Sequence, residues 1–357
     1  MRAADVRAAL DLGPAQAAEP FHLHVGPVRL SVLCPEPLRA ELVAYFADAL
    51  SDTPGDIKVH LLPGQALTPE PGWTDWAREP GKEGRKDAIV DLDDGRLIRK
   101  VRSGVTFLQS PDLRLAFGPL ERNVSTVINF INTQILSACQ QQGWQLAHAA
   151  AVTGKGRTLA ISGLSGGGKS TSVLRMMDID GTAFVSNDRL LVQPGTPPMA
   201  LGIPKHPRIN PGTILGNPRL HGMISAQRLA ELKSMDPQAL WTLEDKHDLM
   251  IGEVYGADRV RFAAPLTDFW VLNWSRSSTH PTRITPVDLS LRTDLLGAIM
   301  KSPGPFYQYP GGHFEPNGAS PDPGPYLQAL AGVTVSEVSG RIDFDAIAAA
   351  GRALFDG

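Results

Sequence analysis

The chain has 357 residues, a length that allows one large domain or two ordinary ones, and its 42% hydrophobic, 20% charged and 6% aromatic content is that of a soluble globular protein. A formal net charge of -3 excludes a general nucleic-acid surface, which would be basic. No uninterrupted apolar run approaches the about 18 residues of a membrane span, and the N-terminal residues Met1, Arg2, Ala3, Ala4, Asp5, Val6 and Arg7 lack the apolar core of a signal peptide. Cys34 and Cys139 stand in apolar segments with no C-x-x-C or Cys/His cluster, so they read as buried thiols in a reducing compartment. The expectation is a cytoplasmic protein with no disulfide framework and no zinc site.

In chain order, residues 22–25 and 28–32 alternate as half-buried strands. Pro37 opens an amphipathic helix over 38–50, and 56–62 reads as a strand stopped by Pro63 and Gly64. A loop rich in Pro, Gly and charge spans 69–84. Residues 87–95 and 96–102 form a hairpin turning at Asp94-Gly95, and 104–108 and 113–117 supply two more strands, an antiparallel meander. Arg96, Arg99, Lys100 and Arg102 read as its solvated face. A long helix covers 121–142, with Val124, Val127, Ile128, Ile131, Ile135 and Leu136 on one side. The pattern divides the chain into a smaller α+β region over 1–120 and an α/β domain over 121–357.

In the second region, 145–152 reads as a strand, followed by a turn at 153–156 and the apolar strand 158–162. A short hairpin at this point predicts a mixed sheet, since an all-parallel fold would put a helix between the strands. Residues 182–186 form a strand, Asn187-Asp188 its turn and 189–192 the return; 224–233 forms a helix, 269–273 a central strand and 344–355 a closing helix. Residues 302–326, dense in Pro and Gly with Tyr307, Tyr309 and Phe314, read as a surface loop with aromatic anchors.

Between the strand at 158–162 and a helical stretch at 171–177 lies Gly163-Leu164-Ser165-Gly166-Gly167-Gly168-Lys169-Ser170-Thr171. Strand, then G-x-x-x-x-G-K-S, then helix, is the phosphate-binding loop in the context it requires. Gly163, Ser165, Gly166, Gly167, Gly168 and Thr171 would turn backbone N–H groups onto a nucleoside triphosphate at a helix N-terminus. Lys169 would reach the β- and γ-phosphates and Ser170 would hold Mg²⁺. ATP and Mg²⁺ are the expected ligands.

Asp188 ends the first strand after this helix, where it can serve Mg²⁺ or take a proton from an acceptor hydroxyl; an Asn-Asp turn also occurs in its own right. The segment 202–213 carries Lys205, Arg208 and Asn210 between three prolines and two glycines, rigid donors suited to phosphate oxygens. Residues 245–248 form a charged cluster that reads as a solvated helix end. His148, on spacing alone, is an ordinary core histidine.

From His148 through the glycine loop to Asn187-Asp188 the chain resembles HPr kinase/phosphorylase and its relatives, and 84–86, 94–100 and 204–208 look like an HPr-kinase-related subgroup. The resemblance implies a P-loop fold with a mixed sheet, His148 at the phosphates, Ser170 on Mg²⁺, Asp188 as general base, and Arg208 where the family carries an arginine-bearing signature. Asn187 stands where the family has the first acid of a pair. The loop is also similar to that of phosphoenolpyruvate carboxykinase, a longer enzyme whose other segments are not found here. The expected function is a kinase passing the γ-phosphoryl group to a hydroxyl of a protein, peptide or small molecule, with a nucleotide-gated switch as the competing reading. The expected partners include neither nucleic acid nor membrane, and a homo-oligomer is compatible with the chain.

Overall fold

The computed structural model describes residues 1–78, 83–163 and 167–357. Ser165 and Gly166 of the glycine loop lie outside the described residues. The chain divides into two compact units, Met1–Gly143 with Ser302–Pro321, and Trp144–Lys301 with Asp322–Gly357. The boundary expected at 120/121 is therefore corrected to 143/144. The physical reason is the helix Val124–Gln141: its Phe130 packs on Phe107 of the first unit's sheet with ring centroids 4.6 Å apart, and Gln134 donates to Gln109 at 2.9 Å.

Among the described residues the first unit builds one nine-stranded sheet, and 302–321 is anchored to it by Phe306, whose ring stands 5.3 Å from Phe107. The meander holds for Asp87–Asp91, Arg96–Lys100, Thr106–Gln109 and Arg114–Gly118, which pair antiparallel in sequence. It fails where Ile57–Pro63 enters, because that strand runs parallel to Val28–Leu33 on one side and to Arg114–Gly118 on the other. The helix expected over 38–50 ends at Tyr45, and the chain turns to pair Leu50 with Leu23. Arg96 is not on a solvated face. It is buried, bonded to Asp91 and to the carbonyls of Pro305 and Glu315, with its guanidinium 4.6 Å above the Phe314 ring. Cys34 and Cys139 are buried free thiols, and burial pushes both up to about 12.

Among the described residues the second unit is centred on a mixed six-stranded sheet. The loop strand Arg157–Gly163 runs parallel to Asp268–Leu272, which runs parallel to Thr334–Ser339; Ala149–Gly154 pairs antiparallel with the loop strand and with Thr182–Ser186. The mixed sheet matches the expectation from the hairpin, whose turn places Lys155 at φ 48° and Gly156 at φ 79°. Alternate residues feed two cores. Val152, Leu159 and Ile161 pack under the helices Lys169–Met177 and Phe344–Asp356, while Ala149, Ala151, Phe269 and Val271 face Leu295, Ile299 and Tyr326. No described helix is long and apolar enough to cross a membrane.

Beside this sheet stands an antiparallel one of four strands, Gln145–Ala147, Leu190–Gln193, Met199–Leu201 and Ala263–Pro265. The single strand expected over 145–152 is thus two strands in two sheets, broken at His148. The expected return of 182–186 onto 189–192 is likewise a crossing, since Thr182–Ser186 pairs with Ala149–Gly154 and Leu190–Gln193 pairs with Gln145–Ala147.

Gly202 fixes how the following segment lies on the end of Thr182–Ser186. A Cβ at Gly202 would overlap the Val185 carbonyl, and its own N–H donates to Phe262 at 2.7 Å. The obstacle is backbone and cannot swing aside. Gly202→Ala is therefore expected to destabilise the protein by about 1–3 kcal/mol, lowering the melting temperature by roughly 2–4 °C per kcal/mol. An unchanged thermal transition would contradict this packing.

Candidate functional site

The described part of the glycine loop is Gly163, Gly167 and Gly168. Gly163 ends the loop strand opposite Leu272, and Gly168 caps the helix Lys169–Met177 at φ 89°, a left-handed turn that glycine makes without strain. A Cβ at Gly168 would stand 2.8 Å from the Phe344 ring, so the close approach there also requires glycine. Lys169 folds back from the first helical position and donates to the Gly163 carbonyl at 3.1 Å. Burial, together with the charge of Lys301, holds its ammonium below the ordinary lysine range, and Asp188 opposes that shift. Ser170 is half-buried on the first turn, and the Thr171 hydroxyl is committed to Thr213 at 2.8 Å.

His148 and Asp188 occupy the two crossings between sheets, and they meet there. His148 Nε2 lies 3.2 Å from Asp188 Oδ1, and the His148 backbone N–H donates to Ile299 at 2.7 Å. Burial pushes the Asp188 carboxyl up, but the hydrogen bond from His148 and the charges of Lys301, His148 and Arg189 outweigh it, leaving the group far below the ordinary carboxylate range. Asp188 is thus a firmly ionised carboxylate. Next to it, Asn187 Oδ1 is buried without a hydrogen-bond partner.

Lys205 is half-buried and shares the surroundings of Asp188. Burial first, and then the like charges of Arg189, Lys301 and Arg208, bring its ammonium down to about 8, with Asp188 acting the other way. Arg208 is exposed and pairs with Asp248 at 2.9 Å. That pair corrects the reading of 245–248 as a helix end: His247–Asp248 is a short strand pairing antiparallel with Arg208–Ile209.

Sequence reasoning missed Trp274, Phe344, Arg189 and Lys301. Trp274 follows the central strand Asp268–Leu272 at its C-terminal end, where ligands of open α/β sheets gather, and that position could have flagged it. Lys301 carried no such signal. It comes close because the chain at 299–300 bonds to 147–148 and its backbone is held by the Tyr326 hydroxyl at 3.1 Å.

The residues fit a triphosphate with Mg²⁺. Lys169 and Lys205 supply charge, and Ser170, Asp188 and the orphaned Asn187 Oδ1 are hard oxygen donors of the kind Mg²⁺ takes. Among the described residues no group of three His, Cys, Asp or Glu forms a cage.

No family model matches the chain, and no curated protein matches it. Among solved structures it is similar to that of the Hpr(Ser) kinase/phosphatase from Coxiella burnetii, at 12% identity and a TM-score of 0.29, over 59% of this chain and 90% of that one. At that score the likeness carries no weight for fold or function, and the reading of the site rests on its own residues.

Proposed function

We propose that the chain is an ATP- and Mg²⁺-dependent phosphotransferase that passes the γ-phosphoryl group to a hydroxyl, with serine of a protein or peptide as the acceptor class. One observation carries the reading. Lys169 sits on the Gly163 carbonyl directly after a left-handed glycine, in electrostatic contact with a carboxylate, Asp188, that is itself held by His148. A strand, a glycine turn and a helix bearing that lysine suit a phosphate chain, and a carboxylate beside it suits an incoming hydroxyl.

In this reading the amides of the loop receive the phosphates and Lys169 follows the β- and γ-oxygens. Lys205 adds a second cation, and Arg208 exchanges Asp248 for the transferring group. When bound, Mg²⁺ neutralises charge on the β- and γ-phosphates, with Ser170, Asp188 and Asn187 as its protein oxygens. The acceptor oxygen bonds to the γ-phosphorus as the bond from that phosphorus to the β–γ bridging oxygen breaks. ADP leaves with that electron pair, and the hydroxyl proton passes to Asp188. A strongly acidic carboxylate is a weak base, but a loose transfer surrenders the proton late, so aiming the hydroxyl is the larger part of its work.

That acidity also favours a second reading, a nucleotide-gated switch in which Asp188 only holds the metal. Incubating the protein with γ-labelled MgATP and cell extract separates the two. The kinase reading predicts label on an acceptor, and Asp188→Asn is expected to lower single-turnover transfer by about 10²–10⁴-fold with a far smaller loss of MgATP binding, since Ser170 and Asn187 would still hold the metal. Label on free inorganic phosphate alone, with no labelled acceptor, would favour the switch. Lys169→Ala is expected to shrink the MgATP-induced rise in melting temperature, measured from that variant's own ligand-free transition. An undiminished rise would remove the phosphate loop from the account.

Lys205 gives the site a pH signature. A cationic Lys205 serves phosphate, and its ammonium begins to lose its proton near 8, so MgATP affinity is expected to fall as pH rises through that value. Lys205→Arg keeps the charge and should flatten this limb in calorimetric titrations from pH 7 to 9.5. The stability of the free protein is expected to show the opposite sign. Its folded state binds fewer protons here than the unfolded chain between about pH 8 and 10.5, so this group's contribution to stability rises over that window.

A further inference from the structure

We propose that Trp274 is a positioning residue that fixes the phosphate-facing orientation of the glycine loop; the inference rests on the nucleotide-binding reading above. Its indole N–H donates to the Gly167 carbonyl at 2.8 Å. The carbonyl of Gly167 and the N–H of Gly168 belong to one planar trans peptide and point opposite ways. Holding the carbonyl on the indole therefore turns the Gly168 N–H away from Trp274. A loop that binds anions through its amides must turn carbonyls outward, and a half-buried carbonyl needs a donor. Trp274 supplies that donor before any ligand arrives, which spares the loop part of its ordering on binding.

The indole is itself held rigidly. Its backbone continues the strand Asp268–Leu272, and the flanking residues are bonded to the end of the strand Thr334–Ser339 and the residue after it, Asn273 N–H to Val338 at 2.8 Å and Ser275 N–H to Gly340 at 2.9 Å. Its ring stands edge-on to Phe344, centroids 5.3 Å apart at 86°. Phe344 opens a helix capped by Asp343, whose carboxylate accepts from the N–H groups of Asp345 and Ala346 at 3.1 and 3.0 Å. The same Phe344 ring occupies the space a Cβ on Gly168 would need, and Trp274 reaches within 3.6 Å of it. One aromatic pair thus packs on Gly167 and Gly168 and ties them to two regular elements.

Calorimetry with MgATP on the wild type, Trp274→Phe and Trp274→His tests this. Trp274→Phe keeps a ring but loses the N–H, and the dissociation constant is expected to rise about 3–10-fold, the worth of one hydrogen bond. Trp274→His, which retains a ring N–H, should recover part of that loss. MgATP should also change the tryptophan emission of the wild type, and this response should vanish in Trp274→Phe at saturating nucleotide, a readout that simple packing would not predict. Affinity in Trp274→Phe within about twofold of wild type overturns the inference and leaves the nucleotide reading standing. No MgATP binding by the wild type overturns both. Should Trp274→Phe melt far below the wild type, Phe344→Leu replaces it. That variant keeps the indole donor but loosens its seat, so weakened affinity with a retained emission response supports the inference and unchanged affinity overturns it.

Discussion

The candidate site depends on one topological constraint, that two stretches of chain leave one sheet for another at the same place. Gln145–Ala147 and Ala149–Gly154 belong to different sheets, and so do Thr182–Ser186 and Leu190–Gln193. The two crossings are neighbours because the strands pair with each other on both sides, Ala147 with Leu190 in one sheet and Ala151 with Ser186 in the other. A crossing residue leaves the ladder, and its side chain is free to take a direction that alternation would forbid. His148 and Asp188 are those residues, and their 3.2 Å contact follows from the topology.

Positive charge collects around that contact. Lys169, Arg189, Lys205 and Lys301 act electrostatically on Asp188 or on one another, and burial keeps Lys169 and Lys205 below their ordinary ionisation range. Desolvated cations set against a carboxylate destabilise the free protein unless an anion joins them. Such perturbed groups gather where ligands bind. In the proposed function a triphosphate would supply the missing charge.

The strand and helix that flank the glycine loop were legible because they read from local apolar periodicity. The place of Asp188 just after the strand Thr182–Ser186 was legible from the order of elements beyond that helix. The His148–Asp188 contact was not, since periodicity marks 145–152 as one continuous strand and carries no sign that the chain changes sheets at 148. The unit boundary was misplaced for a related reason. The apolar stripe of Val124–Gln141 shows that the helix is buried but not against what, and Phe107 and Phe306 decide that through contacts distant in sequence. Arg96 was read as solvated because a strand charge is ordinarily outside; its carbonyl partners come from 305 and 315, far along the chain. Trp274 and Lys301 reach the site only through long-range pairing, the link that a single sequence expresses least.

The most direct test of the central claim is a crystal structure of the protein grown with Mg²⁺ and a non-hydrolysable ATP analogue. The account predicts the triphosphate within hydrogen-bond distance of the backbone N–H groups of Gly167, Gly168 and Lys169, with its terminal phosphate turned toward the His148–Asp188 pair. A nucleotide bound away from those amides, or a terminal phosphate facing away from Asp188, would contradict it.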